Sequence, residues 1–245
     1  MRFVLGAVSV LVAGLPLLPP LFAISPAGNL GKLSYSVEWR LIHAGQVVME
    51  PAESSVVAKI VSAGLVSTLF KVDNVYTAHF TPAFCTSDTL LDSQEGKRHR
   101  QTTVAYEHNP NRVVFLERDL VKNEILKSTQ TETPACVHDT LGGLLALRGL
   151  NLEPGQTAQV PITDGRKFAQ VKVEAQGREE ISTPAGKFKT MRYETNLMNG
   201  VVYARKGRVF VWLTDDAQRT PVQILLRLAF PVGTVTLQLE KEDAK

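Results

Sequence analysis

The sequence predicts a mainly β protein: a single antiparallel, strongly curved sheet, forming a barrel or half-barrel, with one or two short helices. Three observations carry that expectation. Leu33, Tyr35, Val37, Trp39 and Leu41 alternate with Ser34, Ser36, Glu38 and Arg40, the period of a strand with one dry and one wet face. Beyond Thr157, short runs rich in β-branched residues are punctuated by Gly- and Pro-bearing turns roughly every 8–12 residues, which is the rhythm of a meander. The clearest helical pattern is Asp139 to Leu150, where Asp139 is a good N-cap and Leu141, Leu144, Leu145 and Leu147 share one side.

Taken in order, the chain of 245 residues opens on an address. Met1-Arg2 is a small positive region and Phe3 to Leu15 is almost wholly apolar, before Pro16, Pro19 and Pro20 interrupt any helix. Thirteen helical residues reach about 20 Å, short of the roughly 30 Å hydrocarbon core. Ser25-Pro26-Ala27 offers small residues for cleavage before Gly28, so residues 1–27 are expected to be a signal peptide. The rival is an uncleaved anchor, since Phe3 to Ile24 holds no charge; membrane contact would then run only through this segment. Either way the body, one β-rich domain over residues 28–245, is expected outside the cytoplasm, in the periplasm or cell envelope. Neither a Pro/Ser-rich linker nor a repeat divides it.

In the body, Leu33 to Leu41 is followed by a turn at His43 to Gln46 and a strand through Val47 and Val48. Glu53 to Ser62 is the next strand, and Leu65, Leu69 and Val72 suit one short helix. Arg98 to Glu107 and Arg112 to Asp119 flank the turn signal His108-Asn109-Pro110-Asn111, and Val121 to Thr129 follows. After the Asp139 helix come Thr157 to Thr163 and Lys167 to Ala175 around Asp164-Gly165, then Glu179 to Ser182 and Lys187 to Tyr193 around Thr183 to Gly186. Val201 to Ala204 and Val209 to Thr214 flank Arg205-Lys206-Gly207, and Pro221 to Leu228 and Thr234 to Leu239 close the meander.

Composition is that of a folded globular chain, 44% hydrophobic and 21% charged. A net charge of +3 gives no field for steering to nucleic acid, so no nucleic-acid partner is expected. Cys136-x-His138-Asp139 has metal-ligand residue types but lacks the second spaced pair of a zinc site, and N-capping by Asp139 explains it more simply. Gly-x-Ser-x-Gly is absent; Asp215-Asp216 and Gly186-Lys187 read as turns; Lys97-Arg98-His99-Arg100 reads as a solvated edge. No catalytic residue, cofactor or metal is therefore expected, and the protein is read as a non-enzyme. The two cysteines, Cys85 and Cys136, are expected to form a disulfide, because the address places both where thiols are oxidised.

Several segments taken together carry a resemblance. They are Leu33-Ser34-Tyr35-Ser36-Val37-Glu38-Trp39 with Ala44-Gly45, His138-Asp139 before the Leu-rich helix, Glu180 to Thr190, and Val211-Trp212-Leu213-Thr214-Asp215-Asp216 leading to Pro221-Val222. With these the chain resembles the domain-of-unknown-function family 3108 of exported bacterial proteins. The resemblance implies an exported β-rich domain and brings no catalytic residues. At the level of fold alone, the closing strands are also similar to the lipoprotein-carrier half-barrels of the bacterial envelope, which curl a sheet around an apolar groove. On that footing the leading expectation is a carrier of a lipid-like or lipoprotein ligand, with Leu141, Leu144 and Leu145 covering one end of a groove. The alternatives are an assembly protein meeting another envelope protein and, remotely, a hydrolase with a dispersed site.

Overall fold

The computed structural model describes residues 30–197 and 206–243. In chain order the strands are β1 (Lys32–Trp39), β2 (Ile42–Pro51), β3 (Ser55–Ser62), β4 (Val72–Phe80), β5 (Thr86–Glu95), β6 (Arg98–His108), β7 (Asn111–Asp119), β8 (Glu124–Glu132), β9 (Thr157–Thr163), β10 (Phe168–Thr183), β11 (Gly186–Thr195), β12 (Gly207–Thr214), β13 (Pro221–Leu228) and β14 (Thr234–Asp243). Helix α1 (Gly64–Leu69) lies between β3 and β4, and α2 (Thr140–Gly149) between β8 and β9. The strands form one antiparallel sheet in which β1 to β8 and β9 to β14 are two meanders joined where β1 pairs with β14. The edges are β8 and β9, so the sheet is not closed.

The sheet curls until its two halves meet. A Cβ at Gly165, which has φ +86°, would stand 2.8 Å from Val104 Cγ2 and 2.9 Å from Phe115 Cδ2, so only glycine lets the β9–β10 turn seat against β6 and β7. Beside it the Arg166 guanidinium lies 5.5 Å from the Phe115 ring centre, and Thr131 Oγ1 donates to the Arg166 carbonyl. The edge of β9 is covered by the extended run before α2: His138 N donates to the Pro161 carbonyl and Thr163 N to the His138 carbonyl.

α2 lies within the curl, between two apolar clusters. Leu33, Tyr35, Val56, Phe80, Phe210 and Leu239 belong to one, where Leu145 joins them. Val160, Val173, Met191, Tyr193, Val211 and Leu213 belong to the other, where Leu147 joins them. Leu144 packs against both. The far end of the helix is tied down by Arg148 Nε donating to the Arg219 carbonyl, while Arg219 Nη2 donates to the Leu150 carbonyl.

Several boundaries differ from the sequence expectation, each for a physical reason. The first turn is Arg40-Leu41, both at positive φ, not His43 to Gln46; the Arg40 side chain donates to the Val232 and Pro231 carbonyls, a tertiary anchor with no local signature. Leu41 is consequently a turn residue, 91% exposed. Strands β4 and β5 occupy a stretch where none is expected, and Val72 begins β4 instead of ending the helix; α1 itself buries no residue. Lys167 to Ala175 and Glu179 to Ser182 are one strand, β10, bent by a bulge between Ala175 and Gly177. Residues 1–27 and the expected strand Val201 to Ala204 lie outside the described residues.

Candidate functional site

The centre of the interior is the start of α2. Asp139 is 2% exposed and accepts four hydrogen bonds: from the backbone of Leu141 and Gly142, from Tyr76 Oη at 2.8 Å, and from Thr86 Oγ1 at 2.9 Å. Two satisfy helix N–H groups that no carbonyl reaches; the other two pin the helix to β4 and β5. Burial, followed by the Asp139 carboxylate, raises the Tyr76 phenol far above its ordinary range, so it stays a neutral donor. The covalent tie lies three residues before Asp139: Cys85 Sγ and Cys136 Sγ are bonded at 2.03 Å, joining the β4–β5 connection to the run that leads into α2.

Two cavities flank this point. The first, about 140 Å³, lies between α2 and the sheet face of β9 to β13, with Leu141, Leu144, Leu147, Val160, Val211 and Ile224 in its wall. Its lining is almost wholly apolar, because these strands alternate with their β-branched and leucine residues turned inward. The second, about 410 Å³, lies on the other side, against β3 to β7 and beneath the β9–β10 turn. Its wall mixes Tyr76, Tyr106 and Phe115 with Asn74, Glu117 and Asp139. Thr140, the first residue of α2, borders both.

Of the groove residues expected from sequence, Leu141 and Leu144 line the apolar cavity, whereas Leu145 is 3% exposed in the core packing between sheet and helix. The strand residues of both cavities and the Asn74 amide were not singled out by sequence. Asp215 pairs with Arg178, while Asp216 Oδ1 accepts from Gln218 N and Arg219 N as a turn residue. In the basic run, His99 pairs with Asp92 and Arg100 with Glu117. Among the described residues, no group of three or more His, Cys, Asp and Glu side chains is placed to hold a metal ion.

His138 is 6% exposed and its Nδ1 has no partner. Burial pulls its pKa below the ordinary 6.5, against the Asp139 carboxylate and a hydrogen bond with the Phe84 backbone, which both favour the charged form. The folded chain thus keeps this imidazole neutral, and the unfolded chain takes up the proton first as pH falls. The contribution is present above about 6.5 and is lost as pH drops from there toward the depressed folded-state value. In calorimetric melts from pH 7 to about 5, the native chain should therefore lose more Tm than His138→Phe; parallel curves would refute the assignment.

Comparison with known proteins places this architecture. The family model described as "Protein of unknown function (DUF3108)" matches residues 34–240. A search of curated proteins finds no match. Among solved structures, the chain is similar to the crystal structure of a beta-barrel-like protein of domain of unknown function DUF1849 from Brucella abortus. The identity is 9% and the TM-score 0.58, over 89% of this chain and 98% of that one. That likeness is one of fold.

Proposed function

The chain belongs to the DUF3108 family of proteins of unknown function, and we propose that it is an exported, non-enzymatic carrier module that holds the apolar part of a lipid-like ligand between α2 and the curled sheet. The observation that supports the reading is the apolar cavity bounded by Leu141, Leu144 and Leu147. Core packing ordinarily leaves few voids larger than a water molecule, and a dry apolar void costs dispersion contacts. A cavity of about 150 Å³ lined by Leu, Ile and Phe suffices to bind benzene. The 140 Å³ here thus suits a small ring or the last few carbons of an acyl chain. The Cys85–Cys136 disulfide supports export, since such bonds persist in oxidising compartments.

Benzene is the probe that isolates this cavity. Its titration should give saturable methyl NMR shifts at Leu144 and Val211, and Ile224→Phe, which fills the space from a half-buried wall position, should abolish them. Native protein without saturable shifts would overturn the reading.

An assembly role is favoured by one observation, the edge strand β8, which is exposed along nearly its whole length with Ile125 at 61%. Glu124, Lys127 and Glu132 on that strand are the charges that discourage strand addition, which makes the carrier the better reading.

A further inference from the structure

Each strand of the sheet is antiparallel to its neighbours, so the connections divide between its two ends. One end carries the β1–β2, β5–β6, β7–β8, β9–β10 and β13–β14 turns together with α1. The other carries the β2–β3, β4–β5, β6–β7, β10–β11 and β12–β13 turns. We propose that the first end is a rim that docks on the surface of an anionic lipid bilayer, its turn tips entering the acyl boundary and its interleaved cations meeting phosphate headgroups. The rim needs neither cavity and stands apart from the carrier reading.

The first observation is where apolar side chains meet solvent. Leu41 is at the tip of the β1–β2 turn, Phe230, 91% exposed, is in the β13–β14 turn, and Val121, 68% exposed, is in the β7–β8 turn. Helix α1 presents Leu65 and Leu69, one turn apart and so on one side, and Phe70 follows them. A six-residue helix that buries none of its side chains is not explained by core packing. Among the described residues, the turns at the opposite end expose no large hydrophobic side chain. Such one-sided exposure marks an interaction surface. The tips are also held in place: Trp39 Nε1 donates to the Val232 carbonyl at 2.7 Å, and the Arg40 side chain donates to the Val232 and Pro231 carbonyls, which locks the β1–β2 turn to the β13–β14 turn.

The second observation is charge. Arg40, Lys71, Lys97, Lys122, Arg166 and Lys167 stand in these connections against one acid, Asp164, which Arg166 holds. In the turns of the opposite end the acids are Glu53, Asp215 and Asp216, and the one cation is Arg219. A net charge of +3 thus conceals basic turns at one end and acidic turns at the other. Among the described residues Lys71 and Lys97 form no ion pair, and the Arg40 guanidinium is held by carbonyls, which leave its charge uncancelled. Each lysine or arginine near an anionic bilayer strengthens adsorption about fivefold.

The third observation separates a bilayer from a protein partner. The tips form a string and not a patch: Phe230, Leu41 and α1 follow one another every second strand, about 10 Å apart at the usual strand spacing. Lys71 and Lys97 then come between α1 and Val121. The centre of a protein interface is contiguous and depleted of lysine. Adsorption to a bilayer depends on the apolar side chains entered and on attraction to anionic lipid, and it needs no matched shape. The larger cavity lies in the same half of the sheet, since Ile60, Asn74 and Glu117 of its wall each stand two residues from a strand end at this rim. Docking by the rim therefore brings that cavity toward the lipid.

Flotation of the full chain with vesicles of phosphatidylethanolamine and phosphatidylglycerol, set against vesicles of phosphatidylcholine, tests the inference. The anionic vesicles should bind at least tenfold tighter, and raising salt from about 0.05 M to about 0.5 M should weaken them at least fivefold. Leu41→Ser with Phe230→Ser should weaken binding at least tenfold, and so should Leu65→Ser with Leu69→Ser. Lys71→Glu with Lys97→Glu should do the same on anionic vesicles only, whereas Glu53→Gln at the opposite end should leave binding unchanged. All these positions are exposed, so each variant should keep the native Tm within about 4 °C, and the second leucine pair serves if the first disturbs its turns. Equal binding to both kinds of vesicle would overturn the rim. So would full binding in the leucine and phenylalanine variants, which would assign the contact to residues 1–27. Native protein that ignores vesicles and forms a dimer that the same variants dissolve would also overturn it, in favour of a second copy.

Discussion

Asp139→Ala should destabilise the protein by about 3–5 kcal/mol, well beyond an ordinary cap deletion. Removing an N-cap side chain costs roughly 0.5–2 kcal/mol by itself. Here the same carboxylate accepts from the buried Thr86 hydroxyl and the half-buried Tyr76 hydroxyl, and leaving them short of an acceptor adds about 1–3 kcal/mol for Thr86 and less for Tyr76 before relaxation. The Thr86 hydroxyl can still accept from residue 139 N, which moderates the sum. For a domain of this size each kcal/mol shifts Tm by roughly 2–4 °C, so a fall of about 6–20 °C is expected. Asp139→Asn keeps one acceptor oxygen and should lose less than half as much. A loss under about 1 kcal/mol in Asp139→Ala, measured by denaturant unfolding, would show that α2 is held by its leucines and not by its first turn. Because α2 forms a wall of both cavities, the same variant should also weaken any ligand that reaches Leu144.

What the sequence made legible follows from what each strand faces. β1, β9, β12 and β13 turn inward onto apolar packing, and their alternation or apolar runs read directly as strands. β4 turns Asn74, Tyr76, Ala78 and Phe80 inward while Val75 faces out, 38% exposed. β5 carries Asp88, Asp92 and Glu95 beside Leu90 and Leu91, with a register shift opposite His79 and Phe80. Strands that border a polar cavity do not have one dry face, so the two-residue period that marks a strand is blurred where the larger cavity lies. β10 reads as two strands in the sequence for a different reason: Gly177 sits at a bulge, which within a continuous strand has the same local chemistry as a turn.

The site was legible only on the helix. Leu141 and Leu144 follow from the helical period and Asp139 from capping chemistry, all three within a dozen residues of each other. The period also gathers Leu145 with them, because it locates an apolar side and not the gap within that side; whether a leucine meets a void or a neighbour depends on Ile162, Val173 and Val211 from distant strands. Asn74 carries no signal in one dimension. Its place in the polar wall shows only in three dimensions, where Glu95, twenty-one residues on, accepts from the amide nitrogen.

Cys85→Ala with Cys136→Ala should cost about 4 kcal/mol, lowering Tm by roughly 8–16 °C, since the bond closes a loop of 51 residues. That loop contains β5 to β8, so in the unfolded chain the tether restrains four strands at once. Alanine is the appropriate replacement: Cys85 is 7% exposed, and a serine hydroxyl there would need a new partner. The fold itself should survive, because Thr86 N donates to the Val137 carbonyl and Thr86 Oγ1 to Asp139 without the bond. Those same contacts make the cysteine pair and Asp139 neighbours in energy as well as in space. Once the tether is gone, the run from Cys136 to Asp139 is held chiefly by β9 and by the Asp139 carboxylate, so Asp139→Ala added to the cysteine variant should cost more than it does alone. A double-mutant cycle by urea unfolding measures this. Strict additivity within about 0.5 kcal/mol would mean that disulfide and cap act on separate parts of the structure, and that the start of α2 is not the shared anchor of the two halves of the sheet.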